Sequence, residues 1–134
     1  MTSRAGRLAS PLAAGAAAIA AAAALHVRDP HVGGSWGYCP TLLLTGLDCP
    51  LCGGLRAVND LTHLDLVGAA SSNLLLVAAL PVVLALWMRR LVAGWRGGTA
   101  PRPTAVPRSL WIAGLLVVVV FTVVRNLPGS WLAA

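Results

Sequence analysis

An all-α membrane protein, with three transmembrane helices and a short amphipathic interfacial helix in its outer loop, is the fold class this sequence predicts. Three observations carry the prediction. Of the 134 residues 57% are hydrophobic and only 10% charged, whereas a soluble domain carries about a quarter charged residues. Three apolar runs approach the roughly 20 residues that a bilayer core demands. Finally, all ten basic residues are arginine, and they flank the apolar runs instead of lining one face. That placement argues against nucleic acid as a partner despite the net charge of +6. A chain this short makes one membrane domain over residues 1–134.

The first span is expected over residues 8–27. Ala14, Ala18 and Ala22 recur at four-residue intervals, and small residues on one face let helices approach closely. An alternative for the same segment is a cleaved signal peptide, with Arg4 and Arg7 as its basic start and Ala22, Ala23 and Ala24 as small residues for cleavage. The second span is expected over 66–88, kinked at Pro81, because proline has no N–H for the helix ladder. The third runs over 110–127; it is short, but the stem of Arg125 can carry its charge out to the headgroups.

Orientation follows from the arginines. Arg4 and Arg7 precede the first span. Arg89, Arg90, Arg96, Arg102 and Arg108 lie between the second and third without an acid, whereas loop 28–65 sets Arg28 and Arg56 against Asp29, Asp48, Asp60 and Asp65. Positively charged connections stay in the cytoplasm. The N-terminus is therefore expected inside, with the cysteine loop and the C-terminus outside, in a bacterial inner membrane. Trp87, Trp95 and Trp111 then fall near the inner ends and Trp36 and Trp131 toward the outside, as in interfacial aromatic belts. The Gly/Pro-rich stretch 94–107 reads as a basic inner linker suited to anionic headgroups.

Loop 28–65 holds the chemistry. Turns are expected first, at Pro30, Gly33, Gly34, Gly37 and Pro40, then a short apolar segment from Thr41 to Leu47. A helix is expected to begin around Cys49, with Pro50 at its first position. Leu51, Leu55, Val58 and Leu61 or Thr62 would share its apolar face; Cys52, Arg56, Asn59 or Asp60, and His63 the other. Cys49 at that N-terminus and Arg56 one turn beyond Cys52 would both favour a thiolate.

Three outcomes compete for Cys39, Cys49 and Cys52. An oxidising outer side favours a structural disulfide, from Cys39 to Cys49 or Cys52. Cys49 and Cys52 can instead cycle between dithiol and disulfide, with Cys39 resolving. Or Cys39, Cys49, Cys52 and His63 make a tetrahedral zinc site, although a second close cysteine pair is missing. Arg56 and Asp60, at i and i+4, form a candidate surface pair. Arg56, Asp65, Asn73, Arg125 and Asn126 form a candidate polar cluster at the outer rim, since a polar group in an apolar helix should face protein. Glutamate is absent, and no nucleophile–base motif or phosphate loop is present. An enzyme is accordingly the less favoured reading, with no catalytic residue named.

Cys49-Pro50-Leu51-Cys52-Gly53 with Leu55-Arg56-Ala57, preceded by Asp29-Pro30, Cys39-Pro40 and Leu44-Thr45-Gly46, and followed by Leu61-Thr62-His63, Asp65, Asn73 and Arg125-Asn126-Leu127-Pro128, resembles the bacterial membrane family called domain of unknown function 2752. The resemblance implies a small polytopic membrane protein and brings no activity. Leu51 stands where the family usually has glycine between the cysteines, Leu64 where it has glycine before the aspartate, and Leu74 where proline often follows the asparagine. The preferred function is a structural or interaction component, partnered by lipid or another membrane protein and without a required cofactor. The alternative is a membrane thiol–disulfide or zinc-binding protein using Cys39, Cys49 and Cys52.

Overall fold

A computed structural model describes residues 4–97 and 106–132. Arg102 and most of the expected inner linker lie outside the described residues. The helices are α1 (Arg4–Val27), α2 (Pro40–Thr45), α3 (Gly54–Thr62), α4 (Leu66–Trp95) and α5 (Arg108–Arg125). There is no strand among the described residues, and α1, α4 and α5 are long and apolar enough to cross a membrane. The all-helical expectation holds.

α1 and α4 run antiparallel. The Arg4 guanidinium donates to the Trp95 carbonyl at 3.0 and 3.3 Å and lies 4.6 Å over that indole. One end of the molecule thus gathers the start of α1 and the end of α4, and the other gathers residues 28–65 and the end of α5. These are called below the arginine end and the cysteine end. Mid-helix, the Trp87 indole N–H donates to the Pro11 carbonyl at 2.8 Å. Its ring lies so close to Gly15 that a Cβ there would sit 2.8 Å from Trp87 Cζ2. Near the arginine end a Cβ on Gly94 would meet Leu8 at 3.1 Å and the Arg7 carbonyl at 3.3 Å. The close approach therefore uses Gly15 and Gly94, whereas Ala14 and Ala18, expected to form it, are exposed.

α3 packs on α4, α1 packs on both, and α5 stands outside that contact. α3 packs through its polar side. Ala57, Asn59 and Asp60 are buried, while Leu55 and Leu51 are exposed. The reason lies in hydrogen bonding. Asn59 donates to the Leu25 carbonyl at the end of α1 (2.7 Å). Asp60 accepts from Ser72 of α4 (2.8 Å) and lies 2.7 Å from the His31 Nε2. Asn59 and Asp60 thus face protein while Leu55 faces outward. Asp60 therefore pairs with His31 and not with Arg56.

α4 is broken at Asn73, whose φ of −160° and ψ of 89° are non-helical, whereas Pro81, the expected kink, sits within continuous helix. Asn73 ends one helical segment and caps the next, because its side-chain oxygen accepts the Leu76 amide at 2.9 Å. Asp65 caps the first segment by accepting the Gly68 amide at 2.8 Å.

Candidate metal centre

The cysteines sit on two turns, of which the one carrying Cys49 and Cys52 is held by the long helices. Cys39 is the N-cap of α2 and Pro40 occupies its first turn. Fixed φ and a missing N–H suit proline to that place. Residues 49–53 form turns and not a helix: the Cys52 amide donates to the Cys49 carbonyl (3.1 Å) and the Gly54 amide to the Leu51 carbonyl (3.0 Å). Gly53, with φ 73°, then starts α3. The expected helix start at Cys49 is thus displaced to Gly54, because the left-handed residue at 53 turns the chain before helix can form.

Three side chains from α4 and the end of α5 hold this turn by its backbone. The Asn73 amide donates to the carbonyls of Pro50 and Cys52, both at 3.0 Å. Asn126 accepts from the Asp48 amide at 2.8 Å and donates to the Asp48 carbonyl at 2.9 Å. The Arg125 guanidinium donates to the Cys52 carbonyl at 3.1 Å. Asn73 and Arg125 are each only 1% exposed. Of the five residues offered as a polar cluster, the structure brings together Asn73, Arg125 and Asn126. Asp65 is occupied in capping α4. Arg56 lines a cavity beside the thiols.

The two turns bring the three sulfurs together. Cys39 Sγ lies 3.5 Å from Cys49 Sγ, Cys49 Sγ lies 3.0 Å from Cys52 Sγ, and all three fall within 4.8 Å of one another. All three cysteines are free thiols. The Cys49 amide also donates to Cys52 Sγ at 3.2 Å. His63, expected as a fourth ligand, is not in this group. Its ring stacks on His26 with centroids 4.2 Å apart, and its Nδ1 lies 2.9 Å from the Asn59 carbonyl oxygen. A short helix beginning at Gly54 carries His63 toward α1, away from the sulfurs.

The thiols are electrostatically unlike. The Leu42 amide, and then the Cys52 and Cys49 thiols, hold the Cys39 thiol down from 9.0 to about 7. Burial, with the hydrogen bonds to Cys49 and Cys39, pushes Cys52 up to about 12. Sequence reasoning gave the helix-end activation to Cys49; the structure gives it to Cys39. A cavity of about 320 Å³, with Cys39, Cys52, Trp36, Tyr38 and Arg56 among its lining residues, opens beside the sulfurs.

Three thiols of this spread suit a soft ion. Thiolates bind zinc at about 2.3 Å in tetrahedral sites, and sulfurs this close need only small shifts to surround one atom. The donor set fits three protein ligands with the fourth position left to water or a small ligand.

Sequence reasoning missed the bond of Asn59 to α1 and the link from His31 through Asp60 to Ser72. The spacing of Asn59, Asp60 and His63 on one face of α3 was the available signal.

No curated protein and no solved structure matches the chain. The family described as "Protein of unknown function (DUF2752)" matches over residues 39–87, the segment that carries all three cysteines and Asn73.

Proposed function

We propose that the chain is a multi-pass membrane protein of the bacterial inner membrane that holds a soft metal ion, zinc by class, on Cys39, Cys49 and Cys52. Its N-terminus is cytoplasmic and the cysteine end extracytoplasmic, as the arginine distribution favours. The role is non-enzymatic, a structural or interaction component whose metal knits together the cysteine end. One observation carries this reading: three sulfurs from two separate turns lie within 4.8 Å of one another. A redox pair needs two thiols, and a metal site uses the third. Binding would displace the remaining thiol protons, so affinity should rise with pH. The test is elemental analysis of chain purified in detergent without chelator. One zinc per chain, lost on Cys52→Ser, supports the reading; a metal-free chain that takes up no added zinc rejects it.

A second reading, thiol–disulfide exchange, is favoured by the depressed Cys39 thiol and its 3.5 Å approach to Cys49. The Cys39 thiolate would attack a partner disulfide and release one partner thiolate. Cys49 would then attack the Cys39 sulfur, release the second partner thiol, and leave a Cys39–Cys49 disulfide. Mass measurement after thiol alkylation, with and without reductant, separates the two. One alkyl group taken up before reduction and three after it indicate exchange; three taken up without reductant, with bound zinc in the untreated chain, indicate a metal site.

A further inference from the structure

We infer that the cavity at the cysteine end is a phospholipid site, in which Arg56 receives the phosphodiester of a headgroup and the leucines of the rim receive the start of its acyl chains. The inference is independent of the metal reading above and uses none of the three thiols.

The starting observation is a guanidinium without a protein partner beside an open cavity. Arg56 lines the space of about 320 Å³, at the small end of ligand-sized sites. It is part-buried and makes no hydrogen bond or ion pair with any of the described residues. A guanidinium stays charged, and its planar fork of donors matches phosphate oxygens. Among the lining residues Arg56 is the one base and Asp48 the one acid. That balance selects the anion. A carboxylate in the same cavity opposes a phosphomonoester, with its second negative charge, more than a singly charged phosphodiester, the linkage of membrane headgroups.

The rim identifies where the phosphodiester comes from. Leu42, Leu51 and Leu55 line the cavity and are at the same time exposed. Tyr38 shares both properties. Grouped exposed apolar side chains mark a surface that something covers, and a tyrosine suits the boundary between headgroups and hydrocarbon. Position agrees. Residues 28–65 lie where α1 ends and α4 begins, and Asn126, just past α5, bonds to Asp48 of the lining. The cavity therefore sits at the ends of the long helices, at headgroup level. A free phosphodiester would engage Arg56 and leave the leucines uncovered; a lipid engages both.

The experiment is native mass spectrometry of the full chain in detergent, titrated with dioleoyl phosphatidylglycerol to give the dissociation constant of the tightest lipid. Native chain is compared with Arg56→Gln and with Arg90→Gln. Arg90, in the last part of α4 toward the arginine end, controls for general attraction between arginines and anionic lipid. Arg56→Gln is expected to weaken the tightest lipid about tenfold, the loss of a hydrogen bond to a charged group, and Arg90→Gln to leave it unchanged. Arg56→Met, which keeps an apolar stem, takes the place of glutamine should that variant fail to fold, with the same expectation. A galactosyl diacylglycerol of the same chains, lacking phosphate, should bind about tenfold more weakly to native chain. Glycerophosphoglycerol, the same headgroup without chains, should not displace the lipid at equal concentration. Lipid affinity that survives loss of the Arg56 charge, or falls equally in Arg90→Gln, overturns the inference, and so does a galactolipid bound as tightly as the phospholipid. Displacement by glycerophosphoglycerol at equal concentration identifies a soluble phosphodiester as the ligand and overturns the lipid assignment.

Discussion

Asn126 brackets Asp48: its side-chain oxygen accepts the Asp48 amide at 2.8 Å while its amide donates to the Asp48 carbonyl at 2.9 Å. One residue just past the end of a spanning helix thereby fixes the register of the chain immediately before Cys49. Asn73 does the same two and four residues later. Two long helices thus hold the backbone of the turn that carries Cys49 and Cys52. Removing Asn126 (Asn126→Ala) is expected to cost about 1–3 kcal/mol, and Asn73→Ala more, because Asn73 is the more deeply buried and also caps the second half of α4. Thermal unfolding in detergent measures the order. Both variants should lose bound zinc before they lose helix by circular dichroism.

The α1–α4 contact depends on a missing side chain. Adding a methyl at Gly15 places it 2.8 Å from the Trp87 ring, so Gly15→Ala is expected to destabilise by about 1–3 kcal/mol through overpacking. Gly15→Ala combined with Trp87→Phe should recover part of that loss despite forfeiting the indole bond to Pro11. A double-mutant cycle by thermal unfolding checks it; strict additivity would show that the two residues do not meet.

Leu64 occupies the left-handed region with φ 62° and is 87% exposed. The turn between α3 and α4 therefore persists in spite of a residue suited poorly to it. Leu64→Gly is expected to stabilise by about 1 kcal/mol, since the left-handed conformation costs a non-glycine residue about 1–2 kcal/mol and little packing is lost. A raised unfolding temperature at unchanged helix content is the predicted result.

The thiols should separate by pH. Cys39 is held down to about 7 and Cys52 is pushed up to about 12. Peptide-resolved alkylation of metal-free chain should show Cys39 reacting half-maximally near pH 7, with Cys52 inert through the neutral range. Stability follows with opposite signs. The Cys39 contribution is present above pH 9 and is lost as pH falls through about 7. The Cys52 contribution is present below pH 9 and is lost as pH rises toward about 12. Cys39→Ser should abolish the acid-side loss and leave the alkaline one, read by chemical unfolding across that range.

Hydropathy made the three long helices legible, because a bilayer-length apolar run has few other solutions. The polar partners were legible in kind. Asn73 in an apolar run, and Arg125-Asn126 at the end of another, had to face protein. What they face was not, since the pairing of Asn126 with Asp48 spans 78 residues and leaves no local pattern. The partners of the polar side of α3 were not legible for a related reason: Asn59 meets α1 and Asp60 meets α4 across 34 and 12 residues of sequence. Cys49 and Cys52 declared themselves by spacing. Cys39 was legible as a third thiol, whereas the exclusion of His63 depended on a helix that starts at Gly54, after the left-handed Gly53.

X-ray absorption at the zinc edge, on zinc-loaded chain in detergent, tests the central claim most directly. The account gives one zinc surrounded by three sulfur scatterers at about 2.3 Å and one lighter ligand, with sulfur lost on Cys39→Ser. A zinc shell dominated by nitrogen and oxygen, or one with two sulfurs that is unchanged by Cys39→Ser, would contradict it.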